Sequence, residues 1–219
     1  ELFARINTKD DEIKQIKEEV YTLKDELKDS IENEKLAIKQ LENTKEEIRN
    51  LTGIKIKVIS ILKEKLGEKF EIDSQSGAIR LSSNILFDEG KYELKPNSKE
   101  DLKVALYDYL NTILENNEIN KHIDKIIVEG HTNSQGSFLY NMELSQKRAY
   151  SVMAFLLKLD FEKKELLRDL IVASGRSYLD PIYDKNGIEN KNKSRRIEIK
   201  FRLKNEEAIK EIESLLLNQ

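Results

Sequence analysis

The stretch VEGHTNSQGSFLYNMELSQKRAYSVMAFL, residues 128–156, indicates the fold class. It begins at the end of an apolar run and passes through a polar turn that holds His131 between Gly130 and Gly136. Apolar residues then recur at helical spacing, which predicts a helix over residues 138–158. Its inward face is predicted to carry Leu144, Ala149, Val152, Met153 and Leu156. A buried strand, a tight turn and a helix in this order are typical of proteins that pack helices on a sheet.

The segments on either side predict the rest of a small sheet. KFEIDSQSGAIRLSS, residues 69–83, predicts a hairpin because two alternating apolar runs flank a turn at Ser74–Gly77. Pro96 begins a helix predicted over about residues 96–117. Three more strands are predicted from the runs KIIVEGH, LIVASG and RRIEIKFRL. We therefore predict an α/β (α+β) two-layer sandwich with helices packed on a small mixed β-sheet.

Residues 1–52 contain neither glycine nor proline and predict a long parallel coiled-coil helix. Ile16 and Leu23 each lie three residues after a member of an apolar set that repeats every seven positions. That set is Ile6, Ile13, Val20 and Leu27. The β-branched residues in it favour two parallel strands, and a four-residue shift after Leu27 is a stutter that locally unwinds the supercoil. The alternative is a single charged helix that lies on a globular partner.

Gly53 interrupts the helical pattern and sets the first predicted domain boundary. The predicted domains are a coiled coil at 1–52, a linking helix at 53–68, the sandwich domain at 69–203 and a C-terminal helix at 204–219. The chain begins at Glu1 inside a periodic pattern, and we interpret it as a fragment of a longer protein. It contains no apolar run of about 18 residues that would span a bilayer.

Composition and motifs exclude several functions. The net charge is −3, and Glu189 and Glu198 interrupt the basic stretch near the C-terminus, so no nucleic-acid partner is predicted. The absence of cysteine excludes disulfides and thiolate metal sites. His131 is one of two histidines, and the chain has no HExxH, GxSxG, GxGxxG or Walker A motif. No catalytic residue, metal site or cofactor is therefore predicted.

The opening stretch resembles the signature of the OmpA-like peptidoglycan-binding domain, which also forms the C-terminus of the flagellar stator protein MotB. The matching positions are Gly130, His131, Thr132, Gly136, Asn141, Leu144, Ser145, Arg148 and Ala149. Upstream, ILFDEGKYELKP is similar to the family's first strand and loop, and downstream ASGRSYLDP and SRRIEI are similar to its later segments. The resemblance covers residues 69–203, and the preceding coil and hairpin are similar to those of MotB-like, stator-type inner-membrane members.

The resemblance implies a site for the diaminopimelate-containing stem peptide of peptidoglycan. Arg148 occupies the position of the arginine that binds the peptide's carboxylate, and Asn133 that of the aspartate that binds its ammonium group. A guanidinium fits a carboxylate bidentately, and Leu144 lies one helical turn before Arg148 as a wall of the pocket. The predicted peptidoglycan-binding residues are Asn133, Arg148, Leu144, Asn141, Phe87 and Arg195. The alternative for Arg148 is a surface ion pair with Glu143 or a neighbouring residue.

Two positions depart from the family pattern. Asn133 replaces an aspartate, and Ser194 replaces the asparagine that precedes the paired arginines. Asparagine keeps an acceptor but loses the charge, and in a turn it also closes an Asx turn with the backbone two residues on. Three interpretations stay open: an altered stem peptide such as an amidated one, a weak site that needs clustering, or a site that has become structural.

Three further residues near this site carry expectations of their own. His131 is expected to pack and form hydrogen bonds within the turn, where it shapes the pocket without chemistry. Arg195 and Arg196 point to opposite faces of their strand, so at most one reaches the pocket and the other is expected to be a surface charge.

Together these features predict a non-catalytic peptidoglycan-binding anchor, the periplasmic part of a MotB-like stator subunit of an ion-driven motor, flagellar or phage-defence in type. The coil predicts a homodimer. A transmembrane helix beyond this fragment is expected to tether it to the inner membrane, beside an ion-channel partner subunit. The alternative is a structural coiled-coil dimerisation module whose degenerate OmpA-like domain no longer binds peptidoglycan.

Overall fold

The computed structural model describes residues 2–67 and 70–205, with residues 2–8 described by their backbone alone. The chain divides into two compact units, residues 1–50 and 51–219. Lys204 and Asn205 form a turn, and the rest of the predicted C-terminal helix lies outside the described residues. Among the helices that the structure describes, none is long and apolar enough to cross a membrane.

The N-terminal helix α1 spans Leu2–Leu66, which confirms the predicted long helix. Gly53 lies inside α1, so the predicted interruption at this residue is wrong. A lone glycine costs a helix only about 1 kcal/mol relative to alanine, and the turns on either side outweigh that cost. In the first unit, the apolar side chains of the predicted seam are 48–60% exposed: Ile13, Ile16, Val20, Leu23 and Leu27.

The second unit contains a five-stranded mixed sheet of order β1-β2-β5-β3-β4. Its strands are β1 (Glu71–Ile72), β2 (Ile79–Ser82), β3 (Ile123–His131), β4 (Ile171–Gly175) and β5 (Arg196–Leu203). The pair β3–β4 is parallel, and the other neighbours are antiparallel. The hairpin predicted over 69–83 is the β1–β2 pair, and the predicted α/β sandwich is confirmed.

Helices lie between these strands along the chain. They are α2 (Ser83–Leu86), α3 (Ser98–Leu114), α4 (Asn117–Asn120), α5 (Phe138–Leu156), α6 (Lys164–Leu170) and α7 (Lys191–Ser194). The helices predicted at 96–117 and 138–158 are α3 and α5. The strand predicted within ILFDEGKYELKP is wrong, because the pairing of β2 with β5 ends at Ser82 and the chain turns at once into α2. Residues 87–97 form an irregular segment, the 87–97 loop.

The core lies between the sheet and the helices. Alternate residues of β5 face it, and the residues between them carry charge on the opposite face. The buried residues of the core include Val58, Leu62, Leu66, Leu102, Leu106, Tyr109, Ile126, Val128, Ala149, Val152, Ile197, Ile199 and Phe201. The end of α1 supplies three of these residues, so residues 51–66 are part of the second unit's core.

Two paired glycines let α5 approach the sheet closely. Gly130 and Gly175 are neighbours in the β3–β4 register. A β-carbon on Gly130 would overlap the carbonyl oxygen of Ser145, and one on Gly175 would lie 2.6 Å from the backbone nitrogen of Gln146. The first turns of α5 therefore rest directly on the ends of these strands, and this contact sets the position of the residues that follow.

Candidate functional site

A cleft of about 350 Å³ opens between the turn after β3, the first turns of α5 and the 87–97 loop. It is lined by all six residues that the sequence predicted for the site: Phe87, Asn133, Asn141, Leu144, Arg148 and Arg195. The fold thus brings together residues from four separate segments of the chain. Their role in binding peptidoglycan stays a prediction.

Arg148 is buried, and the carbonyls of the 87–97 loop hold its guanidinium. Its Nε donates to the oxygen of Lys91 at 2.8 Å, and Nη2 donates to the oxygen of Asp88 at 3.3 Å. The guanidinium carbon lies 5.2 Å from the centre of the Phe87 ring, within the range of a cation–π contact. Among the described residues no carboxylate pairs with Arg148. The alternative ion pair with Glu143 is wrong, because Glu143 binds Lys147 at 2.6 Å.

The electrostatics around Arg148 favour an anion. Burial lowers the pKa of Arg148 below its usual value, Tyr140 opposes this effect, and the nearby guanidinium of Arg195 lowers the pKa further. The group stays charged in spite of these effects, because the guanidinium pKa is far above neutral pH. A buried cation beside a second cation is relieved by a ligand that brings negative charge.

Arg195 lies at the cleft and Arg196 does not, but the surroundings of Arg196 differ from the prediction. Arg195 lines the cleft, donates from Nη2 to Asn192 Oδ1 at 2.6 Å, and has a buried Nε with no hydrogen-bond partner among the described residues. The surface charge predicted for the other arginine is wrong. Arg196 is buried on the second face of the sheet, and it donates to Glu198 at 2.6 Å and to the carbonyl of Asp180 at 3.1 Å.

Hydrogen bonds within the 132–136 turn, and from neighbouring segments, fix the conformation around Asn133. The Oδ1 atom of Asn133 accepts from the Gln135 backbone at 3.2 Å, so the predicted Asx turn is present. The Nδ2 atom of Asn133 donates to Gln135 Oε1 at 3.2 Å, and the residue is only 4% exposed. Asn141 donates to the Gln135 carbonyl at 2.7 Å, and the Glu189 carboxylate accepts from both the backbone and the hydroxyl of Ser134. The amide of Asn133 is thus used within the turn.

His131 lies in a charged network on the second face of the sheet. Both ring nitrogens are buried without a hydrogen-bond partner in the described part of the chain, so the predicted hydrogen bonds within the turn are wrong. The Nε2 atom lies 3.6 Å from Glu129 Oε2 and 4.0 Å from Glu198 Oε2. These contacts arise because Glu129 faces Glu198, and His131 faces Arg196, in the β3–β5 register.

Glu129, His131 and Glu198 are close enough together to hold a metal ion. Cations of the protein already engage both carboxylates: Lys200 binds Glu129 at 2.7 Å, and Arg80 binds Glu198 at 3.1 Å beside Arg196. Burial raises the pKa of Glu129, but His131 and the Lys200 ammonium lower it more strongly, to about 2. We therefore interpret the cluster as an ion network that supports the turn.

Sequence reasoning missed several residues that shape the cleft. Glu89, Lys95 and Tyr140 line it, and Glu189 holds its turn. The first three lie inside segments that were quoted for the family resemblance, but no periodicity marks them. Glu189 is 55 residues from Ser134, and no local pattern predicts that contact.

Comparison with known proteins places this geometry in a family. The OmpA family profile matches residues 86–195, half of the chain. The Zorya protein ZorB of Escherichia coli is 34% identical over 141 residues, which cover 59% of this chain and 59% of ZorB. The outer-membrane lipoprotein YfiB of Pseudomonas aeruginosa is 28% identical over 148 residues, covering 68% of this chain and 78% of YfiB.

A solved structure shares the fold. A MotB-like protein from Desulfovibrio vulgaris superposes with a TM-score of 0.52 at 20% identity, covering 71% of this chain and 94% of that one. The sequence match, the shared fold and the cleft agree with the predicted family. The chain belongs to the OmpA family, whose domains are structural peptidoglycan-binding anchors and not enzymes.

Proposed function

We propose that the chain anchors its assembly to the cell wall by binding the diaminopimelate-containing stem peptide in this cleft. The observation that carries the proposal is Arg148, which is buried at the cleft and which no carboxylate neutralises within the described residues. Arg195 adds a second guanidinium. Two cations that share one cleft favour a ligand with a carboxylate group.

The cleft is organised for reversible binding without chemistry. The carbonyls of Lys91 and Asp88 and the ring of Phe87 hold the Arg148 guanidinium before any ligand arrives. This preorganisation lowers the entropy cost of binding. The remaining N–H groups of Arg148 are available to a ligand carboxylate, since a guanidinium has more donors than the loop uses. Leu144 supplies an apolar wall on the same helix.

We further propose that two chains pair through the first unit. The exposed seam on α1 has the spacing of a parallel coiled coil, and pairing would cover its apolar side chains. A helix of 50 residues extends about 75 Å, enough to separate the ends of such a coil widely. A dimer presents two clefts to one polymer, so that modest affinity at each cleft gives stronger attachment.

The assembly that this anchor serves is a stator-type membrane motor of flagellar or phage-defence type. The similarity to ZorB supports this proposal, although the chain spans 59% of that protein's length. In such an assembly the domain works in the periplasm, tethered to the inner membrane, and the partner is an inner-membrane ion-channel subunit.

One observation favours a second candidate, a dimerisation module that no longer binds peptidoglycan. Asn133 lacks the family's charge, and its side chain is used within the turn. In that case Arg148 would only fasten the 87–97 loop to α5.

Co-sedimentation with purified sacculi that contain meso-diaminopimelate separates the two candidates. We expect the parent chain to sediment with the sacculi and Arg148→Ala to stay in the supernatant, because a charge-assisted contact contributes about 1.5–3 kcal/mol. The matched control is Lys147→Ala, which removes the neighbouring exposed cation outside the cleft and should sediment like the parent. A parent chain that stays in the supernatant would support the dimerisation module.

A further inference from the structure

We propose that Glu89 supplies the carboxylate that residue 133 lacks, and that it binds the ammonium group of the ligand. The inference rests on the proposed function and names the part of the ligand that the cleft recognises. It assigns to this chain a zwitterionic ligand, with a carboxylate at the two arginines and a free amino group at the 87–97 loop.

Residue 133 is not available for this role. Asparagine has no charge, and both polar atoms of the Asn133 side chain bind Gln135. The residue is 4% exposed, so a ligand meets little of its amide. An ammonium group in the cleft therefore needs another acidic partner.

Two carboxylates line the cleft, and one of them is free. Asp88 pairs with Lys95 at 3.2 Å. Glu89 is exposed at the cleft and forms no hydrogen bond or ion pair with any residue that the structure describes. The nearby acid Glu189 is held by the hydroxyl and backbone of Ser134. Glu89 is thus the carboxylate at the cleft that stays available to a ligand.

A turn fixes the position of Glu89 relative to the arginine. The backbone nitrogen of Lys91 donates to the Asp88 oxygen at 3.0 Å, which closes a four-residue turn with Glu89 and Gly90 at its centre. Gly90 has φ +67°, which a side chain would disfavour. Arg148 binds the carbonyls at both ends of this turn. The guanidinium that faces the ligand's carboxylate therefore also holds the loop that presents Glu89.

The two arginines and Glu89 complement the carboxylate and the ammonium group that an amino acid carries on one carbon. In diaminopimelate a carboxylate and an ammonium group share one carbon, so a ligand carboxylate at Arg148 and Arg195 places its ammonium a few ångströms away. A carboxylate on the adjoining loop complements that ammonium. A ligand with carboxylates alone would gain nothing from Glu89 and would be repelled by it.

Calorimetric titration with meso-diaminopimelate and with pimelate, which has the same carbon chain and no amino groups, tests the inference at low salt. We expect the parent chain to bind meso-diaminopimelate more tightly than pimelate. Glu89→Gln should weaken meso-diaminopimelate binding about two- to fivefold, the range of an exposed ion pair. Glu89→Lys should weaken it further and should strengthen pimelate binding, because the charge is reversed.

The control variant is Glu93→Gln, which removes the same charge from the same loop outside the cleft lining and should leave both affinities unchanged. Opposite effects on the two ligands distinguish recognition from damage to the loop. Equal weakening of both ligands by Glu89→Lys, or unchanged affinities in both Glu89 variants, would overturn the inference and leave the proposed function in place. A parent chain that binds neither ligand nor sacculi would overturn both.

Discussion

Arg148 and Arg196 are similarly buried, but only Arg196 has a carboxylate partner among the described residues. Arg196 binds the Glu198 carboxylate as well as two carbonyls, so its charge is neutralised within the protein. Arg148 binds carbonyls and an aromatic ring and lies near another cation. A buried arginine that serves structure alone is usually paired with a carboxylate. The unpaired charge of Arg148 therefore indicates a place for a ligand.

The Glu129 carboxylate should make the stability of the folded domain depend on pH in the acid range. The pKa of Glu129 is about 2 in the folded domain, below the usual 4.5. Its contribution to stability is therefore fully present above pH 4.5 and is lost as the pH falls towards 2. Urea unfolding between pH 7 and 3 should show this loss, and Glu129→Gln should reduce it by up to about 2 kcal/mol over that range.

Lys200 provides the check on this assignment. Lys200→Met removes the ammonium that binds Glu129 at 2.7 Å, so it should also reduce the loss of stability in acid. If Glu129→Gln keeps the full acid sensitivity of the parent, another carboxylate is responsible and the network around His131 does not have the stated role.

The sequence predicted the surroundings of some residues correctly and of others wrongly. The predictions failed where the contacts join residues that are far apart along the chain. Asn133 and Arg148 lie in one short motif, so the resemblance identified both, and the fold brings them to one cleft. Glu129 and Glu198 are far apart and meet only through the β3–β5 register. No local pattern predicts that register, so the predicted hydrogen bonds of His131 and the predicted exposure of Arg196 were wrong.

At the scale of elements, the contact between α5 and the strand ends should be intolerant of any side chain. Gly130→Ala would place a methyl group against the Ser145 carbonyl, which cannot rotate away. We expect a loss of about 1–3 kcal/mol in the free energy of unfolding, measured by thermal denaturation. Displacement of α5 would also move Arg148 and weaken retention on sacculi.

Gly53 is the matched control for this substitution. It lies inside α1 with nothing within 4 Å of its missing β-carbon. Gly53→Ala should therefore stabilise the helix by about 0.5–1 kcal/mol. A Gly130→Ala variant as stable as the parent would contradict the close packing of α5 on the sheet.

The seam on α1 leads to a prediction about association. Ile16→Lys combined with Leu23→Lys places two charges on the apolar stripe and should convert a dimer into a monomer. Light scattering at micromolar concentration measures the change. Glu18→Ala combined with Asp25→Ala alters the helix face opposite the seam and should leave the dimer intact. A parent chain that is already monomeric would refute the proposed pairing.

Periodicity predicted most elements but not how each one ends. The helices α3 and α5 and the strand β5 were predicted because their apolar spacing continues over several turns or several alternations. The strand that the family resemblance implied within ILFDEGKYELKP is wrong, because the strand pairing ends at Ser82 and Ser83–Leu86 form one helical turn. The break predicted at Gly53 was wrong because glycine weakens a helix without stopping it.

At the scale of the whole molecule, the two units carry different parts of the proposed function. Residues 1–50 carry the exposed seam, and residues 51–219 carry the cleft. If pairing doubles the number of clefts on one polymer, a weakened site at Asn133 is compatible with firm attachment. Retention on the cell wall then requires both the pairing of the first unit and the binding at the cleft. Substitutions in one unit test its part without changing the other.

Binding of the stem peptide in the cleft can be tested by locating the ligand on the chain. Nuclear magnetic resonance of the isotope-labelled chain, titrated with a purified stem peptide that contains meso-diaminopimelate, reports which backbone amides change. We expect the changes to concentrate in the 132–136 turn, the first turns of α5 and the 87–97 loop, and to disappear in Arg148→Ala. Unchanged spectra at saturating peptide, or changes confined to surfaces away from the cleft, would contradict the claim that this cleft binds the cell wall.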